Sequence, residues 1–352
     1  MKLFMAGNTP GRWKEELILL SKNLTQRRLV SFAQLEIQRM GIVIELWKRI
    51  MSENKNKKVE LFLDSGAYSA LTQGKVIDLD EYVKFIQDNK DAISVYANLD
   101  VIGDAEGTWK NQKFMEKRGL HPLPVFHAGE DLEYFYRYLG KYDYICLGGL
   151  VGGSNNQLTF WLDSLFEIIC DTSDHFPKCK IHGFGLTALD LMLRYPWYSV
   201  DSTSWVLTGR HGAVLVPRFR GGKWTYDDNP FKVNVSNQNP TKVDEGKHIS
   251  TYSIMEREII FQYLEEKKYQ LGKSEFKKVP ESYKPMENER WNDHKIDAKE
   301  GKREVEIIIE PGISNKYQLR DEMNIMYFLD LEKSLPEWPW AFESRTKIER
   351  LF

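Results

Sequence analysis

Short apolar runs recur along this chain, each closed by a polar residue or glycine and most followed by a stretch able to hold a helix. Residues 3–5 end at Ala6-Gly7-Asn8, 59–63 at Asp64-Ser65-Gly66, 93–99 at Asp100 and 123–126 at His127-Ala128-Gly129. Residues 144–147 end at Gly148-Gly149, 180–182 at Gly183-Phe184-Gly185, 198–200 at Asp201-Ser202 and 214–216 at Pro217. These are about eight strand candidates, and 79–89, 131–139, 158–169 and 188–194 are helix candidates between them. Strands alternating with helices predict an α/β fold with a parallel sheet, and eight of them predict a closed (β/α)₈ TIM barrel. At 352 residues, the chain accommodates such a barrel of about 250 residues plus an appendage, or two ordinary domains. We expect the barrel core over 1–216 and a C-terminal extension over 217–352.

Asp64, Asp100, His127, Gly148, Gly149 and Asp201 all stand at the C-terminal ends of their runs. In barrels of this kind the active site is built on that face. Asp and Gly are also ordinary turn residues, so one such position alone means little. Three acids and a histidine at separate strand ends are harder to explain as turns.

Beyond Pro217 the texture changes. A helix is predicted from about 253 to 268, and a strand over 305–309. Another helix is predicted over 317–331, stopped by Pro336. The polar stretch 272–303 is expected to be a long connection, an extension or a mobile lid. Trp338, Trp340 and Phe342 are expected to pack a tail onto the body.

Lys and Arg number 49 against 51 Asp and Glu, a net charge of −2, which excludes a globally basic nucleic-acid coat but not a local basic patch. No apolar run approaches the roughly 20 residues of a membrane span, and no signal-peptide core opens the chain, so neither membrane association nor export is expected. Three cysteines (Cys146, Cys170, Cys179) form neither a disulfide framework nor a CxxC pair. A reduced, cytoplasmic protein without structural zinc is the expectation.

Three segments concentrate the chemistry: Asp64-Ser65-Gly66-Ala67-Tyr68, Leu147-Gly148-Gly149-Leu150, and Gly183-Phe184-Gly185 followed by Asp201 and Gly209-Arg210-His211-Gly212. The second is glycine-rich without Rossmann spacing; it can cradle phosphate or let a planar ligand approach the backbone. Paired strand-end carboxylates suit a two-step displacement at an anomeric carbon, one as nucleophile and one as general acid/base.

Taken in order, these segments resemble the queuine/archaeosine tRNA-guanine transglycosylases, and most of all the DNA-guanine transglycosylases that insert 7-deazaguanine bases into phage or bacterial DNA. The family's Asp-Ser-Gly-Gly-(Phe/Tyr), Ile-Gly-Gly-Leu and Gly-Val-Gly motifs are similar to the three segments above. Its nucleophilic Asp, with the Arg of Gly-Arg-x-Gly nine residues on, matches Asp201 and Arg210. Its base-reading Asp matches Asp100, and its Gln-Gly-Gly matches His127-Ala128-Gly129. The likeness covers roughly 60–216, with a weak match at 322–328.

The resemblance implies exchange of guanine in DNA for a 7-deazaguanine (preQ0-like) base through a covalent glycosyl-aspartate, with no cofactor. Asp201 would attack C1′ and Asp64 would act as general acid/base. Asp100 would accept from the purine N1–H and 2-amine, a pairing natural to a carboxylate. The Gly149 amide, beside Gly148 and Leu150, would donate to O6. Tyr68 would stack on the base with His182 near its other face, and His127 would line the site with a role the family's glutamine does not define. Arg210 would contact phosphate. Arg218, Arg220, Lys223 and Lys232, interleaved with Phe219, Trp224 and Phe231, have a composition that suits a flipped or single-stranded substrate. The tRNA enzymes' zinc-binding Cys-x-Cys-x-x-Cys and histidine have no counterpart, so no metal is expected. No RNA-binding module is recognised at the C-terminus, which with the missing zinc ligands tilts the substrate from tRNA towards DNA. Base exchange on tRNA, a retaining glycoside hydrolase and a non-catalytic nucleobase-binding barrel are the alternatives, and a homodimer is compatible with each.

Overall fold

The computed structural model describes residues 1–7, 26–33, 48, 59–297 and 302–343. The chain divides into two compact units, Met1–Thr203 with Glu332–Phe352, and Ser204–Leu331.

The first unit is α/β, built on an eight-stranded parallel sheet. Its strands are β1 (Lys2–Ala6), β2 (Gln26–Ser31), β3 (Val59–Asp64), β4 (Val95–Tyr96), β5 (Val125–His127), β6 (Tyr144–Gly148), β7 (Lys180–Gly183) and β8 (Ser199–Ser202). They are ordered β4-β3-β2-β1-β8-β7-β6-β5. The sheet is a curled half-barrel, compatible with a TIM-like fold but not the closed barrel expected. Its edges meet only at a parallel bridge between Ala97 and Leu123, where Asn98 N donates to Leu123 O at 2.9 Å. The predicted strand over 93–99 shrinks to Val95–Tyr96, which leaves too short an edge for a full ladder there.

Two-residue alternation along the strands explains where the site forms. Phe4, Leu29, Phe62, Val125 and Cys146, one from each of β1, β2, β3, β5 and β6, form an apolar cluster with Ala97. Two positions further along the same strands stand Ala6, Ser31, Asp64, His127 and Gly148. The same pleat that directs a phenyl ring into the core therefore directs a polar group above it. The alternate residues Val30, Leu61 and Leu63 join a second cluster with Tyr82, Val83 and Ile86 of helix Leu79–Asp88. Fully burying a side chain such as that of Phe62 contributes about 1.5–3 kcal/mol.

Four of the first unit's helices start on capping side chains. Asp78, Asp104 and Asp131 accept backbone N–H groups of helices Leu79–Asp88, Ala105–Lys117 and Leu132–Leu139, and Ser154 forms a capping box with Gln157 on Asn155–Ile169. Such caps contribute about 1 kcal/mol each. Two of the three tail aromatics pack as expected: Phe342 stacks on Tyr195, and Trp338 meets Tyr198 edge-on.

Two expectations need correction. The run at 214–216 is a strand, β9 (Ala213–Val216), but it pairs antiparallel with β12 (Phe231–Asn234) and stands outside the eight-stranded sheet. The place it was expected to fill belongs to β2, whose Gln-Arg-Arg lead-in disguises it. Between β9 and β12 lies the hairpin β10 (Arg218–Arg220) and β11 (Lys223–Thr225). The stretch at 272–303 is not an unstructured connection. It contributes to a three-stranded antiparallel sheet, β13 (Lys273–Pro280), β14 (Glu289–Asp297) and β15 (Lys302–Glu310), ordered β13-β15-β14. Helix Ile254–Glu266, with its own capping box, and helix Tyr317–Ser334 stand where helices were expected. Asn8 and residues 298–301 lie outside the described residues.

Candidate active site

A cavity of about 320 Å³ opens at the C-terminal ends of the first unit's strands. Asp64, Asp100 and Asp201 line it together with Tyr68, His127, Gly148 and Gly149. Three carboxylates widely separated in sequence thus share one small volume, and their environments differ.

Asp64 ends β3, where Gly66 N donates to its Oδ2 at 3.1 Å. Burial, reinforced by the nearby charges of Asp100 and Asp201, pushes its carboxyl up to about 8, against the pull of the Gly66 and Ser65 amides. Asp64 is therefore protonated at neutral pH and can give that proton away. Gly66 has φ +84°, and a Cβ there would meet Ser31 Oγ at 2.2 Å, so the Asp-Ser-Gly turn requires glycine.

Asp100 follows β4 and is gripped at both oxygens. Ser65 Oγ donates to Oδ1 at 2.8 Å, and His127 Nε2 lies 3.0 Å from Oδ2. On the far side of the imidazole, Nδ1 lies 3.1 Å from Glu130 Oε1, while the His127 amide donates to Glu130 Oε2. Burial alone would lower the imidazole, but hydrogen bonds to Asp100 and Glu130 outweigh it and lift His127 to about 9. At neutral pH it is a cation clamped between two carboxylates. Gly148 makes room for it: a Cβ there would sit 2.3 Å from His127 Cδ2.

Asp201 lies on β8. Its Oδ1 accepts from Gly185 N at 2.8 Å and faces His182 Nε2 at 3.3 Å. His182 Nδ1 lies 2.6 Å from Ser199 Oγ, which lies 2.5 Å from Tyr144 OH. Burial lowers the His182 pKa, against the pull of Asp201, and the ring is enclosed by Phe4, Phe62 and Phe184. A neutral imidazole donating through Nε2 to Asp201 leaves Nδ1 to accept from Ser199, whose oxygen accepts from Tyr144. This chain fixes the direction in which Asp201 points.

Two residues expected at the base sit elsewhere. His182 is fully buried behind Asp201 and does not line the cavity. Leu150 is also buried and packs towards Gly183, while Val151 lines the cavity in its place. Gly149 has φ +77°, a turn that redirects the residues after it. Tyr68 is 61 % exposed at the rim, free to cover a planar ligand. Sequence reading held Ser65 and Gly185 only as motif members without a role, and missed Glu130, Ser199 and Tyr144. Glu130, three residues after His127, was the most accessible of these to pattern reasoning.

Arg210, Arg218, Arg220 and Lys223 belong to the second unit. Arg218 lies over the Phe231 ring at 3.7 Å and Arg220 pairs with Asp228 at 2.5 Å, so much of this charge is engaged locally. Among the described residues, no group of three or more His, Cys, Asp or Glu side chains is placed to hold a metal ion, and no helix is long and apolar enough to cross a membrane. No protein-family model matches the chain, and no curated protein matches it.

Proposed function

We propose that this protein exchanges guanine in DNA for a 7-deazaguanine base through a covalent glycosyl-aspartate, on a curled sheet that we read as a (β/α)₈ barrel. The observation that carries the proposal is one cavity holding an acid protonated at neutral pH, Asp64, and a second carboxylate, Asp201, aimed by two hydrogen-bond donors. Two carboxyls in unlike environments are what a two-step displacement needs. In the first step an Asp201 oxygen forms a bond to C1′, the bond from C1′ to N9 breaks, and Asp64 delivers its proton to the departing guanine. In the second step the Asp64 carboxylate takes the N9 proton of the incoming deazapurine, whose nitrogen attacks C1′ and frees Asp201. DNA is preferred over tRNA because the only cysteines are Cys146, Cys170 and Cys179, which cannot make the tRNA enzymes' zinc cluster.

Incubation with radiolabelled guanine and either duplex DNA or tRNA tests this. Label retained in DNA supports it, label in tRNA alone transfers the chemistry to the other polymer, and label in neither overturns it.

Asp100 is proposed to read the base. It is not the cap of the following helix, because Asp104 fills that role. Charge-assisted hydrogen bonds contribute roughly 1.5–3 kcal/mol each. Asp100→Ala should therefore weaken guanine and 7-deazaguanine binding about tenfold to about 150-fold per bond lost. Equilibrium base binding, with melting curves alongside, checks it. A changed melting temperature with unchanged base affinity would leave Asp100 only its structural role as partner of His127.

A further inference from the structure

The second unit contains a larger cavity, of about 770 Å³, of which the base-exchange reading uses only Arg210 and Lys232, as nucleic-acid contacts. Six cationic side chains line it: Arg210, Lys232, Lys242, Lys247, Arg290 and Arg320. The rest of its described lining is polar or glycine and includes no Asp or Glu. Unlike charges do approach from outside the lining. Glu245 meets Lys242 at 2.6 Å and Lys247 at 3.1 Å, and the fully buried Glu306 meets Arg290 at 2.7 Å. Those carboxylates engage Lys242, Lys247 and Arg290, and low-dielectric walls concentrate the field of Arg210 and Lys232 in one concave space.

The backbone is built to form this concavity. Gly212 has φ +84°, and a Cβ there would meet Ser236 Cβ at 2.6 Å. Val235 N and Ser236 N both donate to Gly212 O, at 2.9 and 3.0 Å. This holds the Arg210-His211-Gly212 turn against the end of β12, with Lys232 on that strand. Asn239 Nδ2 donates to His211 O and fixes the turn from the other side. Arg320 is itself anchored, donating to Gly209 O at 2.9 Å and Ile313 O at 2.7 Å. Arg210 and Lys232 make no ion pair among the described residues, so their charge is available to a ligand.

We propose that this cavity binds a ligand carrying two or more neighbouring phosphate groups. Guanidinium forks match phosphate oxygens in pairs, lysines add point charge, and the volume exceeds what one phosphate needs. The phosphates could belong to a nucleic-acid backbone or to a free polyphosphate. The proposal does not depend on base exchange, and its test involves no turnover.

The full-length chain is titrated with a labelled single-stranded oligonucleotide by fluorescence anisotropy, and with inorganic tripolyphosphate by calorimetry, over a range of salt concentrations. The variants are the double substitution Arg210→Ala with Lys232→Ala, and Lys84→Ala as a surface control in the first unit. The double variant should bind at least one ligand roughly tenfold or more weakly, with the slope of log affinity against log salt reduced by about 1.4 for the single-stranded oligonucleotide. Lys84→Ala should match the wild type. Weakened oligonucleotide binding that tripolyphosphate does not compete with identifies the strand backbone as the source; weakened tripolyphosphate binding alone identifies a free polyphosphate. Wild-type affinity and salt slope retained by the double variant, confirmed as folded by its circular dichroism, or no binding of either ligand to the wild type, would overturn the proposal.

Discussion

Asp201→Asn should abolish base exchange and the trapping of a covalent adduct while leaving the protein folded. An amide is nearly isosteric with the carboxylate, and its Oδ1 can still accept from Gly185 N and face His182 Nε2, so the local frame persists. What disappears is the anionic oxygen that would bond to C1′. Loss of a nucleophile typically removes several orders of magnitude in rate, far more than loss of one positioning contact. The measurements are initial rates of labelled-guanine incorporation, denaturing electrophoresis for the adduct, and a melting curve. Exchange within tenfold of the wild type would remove Asp201 from the nucleophile's place. An inactive variant that melts far below the wild type would leave the chemistry unassigned, and Ser199→Ala then separates the cases. It loosens the Tyr144–Ser199–His182 chain without touching the carboxylate, so a nucleophile held by that chain predicts a partial rate loss with the adduct still trappable.

The contrast between Asp201 and its support shows which parts of this molecule were legible in the sequence. Polar residues closing apolar runs were visible because strand residues two apart share a face, so Phe62 and Asp64 necessarily point the same way. Sequence gives each strand's alternation but not the register between strands. That Ser199 lies opposite His182 follows only from the β7–β8 pairing, and with it the chain that aims Asp201. His182 was therefore placed at the base when it belongs beneath the carboxylate. Leu150 was misplaced for a different reason: the positive φ of Gly149 breaks the alternation just where the pattern was being extended. β2 was missed because Arg28 is 1 % exposed in the middle of a strand, an arrangement that hydropathy reads as surface. β13 is mostly exposed and rich in charge, so it carries little of the apolar signal by which strands are recognised.

Asp64 supplies the second large effect, and it should be visible in both rate and stability. As the acid proposed to protonate departing guanine, it must hold its proton. Exchange should therefore fall about tenfold per pH unit above about 8, where burial and the charges of Asp100 and Asp201 have placed its titration. Asp64→Asn should lose roughly 10²- to 10⁴-fold in rate, the usual range for general acid–base catalysis, and the decline above pH 8 should vanish with it. The stability prediction depends on sign. Asp64 titrates near 3.8 when exposed and at about 8 in the fold, so between those values the folded chain holds the extra proton and stability falls as pH rises. His127 acts in the same sense over a later window. Its contribution is complete below 6.5 and is lost as pH rises through about 9. Wild-type protein should therefore melt progressively lower from about pH 5 to pH 9. Asp64→Asn removes the earlier and wider of the two windows, so its melting temperature should be nearly flat to about pH 6.5 and decline only where His127 deprotonates. The variant should overtake the wild type by several degrees near pH 8. Parallel melting curves across that range, one displaced by a constant amount, would mean that Asp64 titrates like an ordinary surface carboxylate, and the acid role would then have to pass to another group in the cavity.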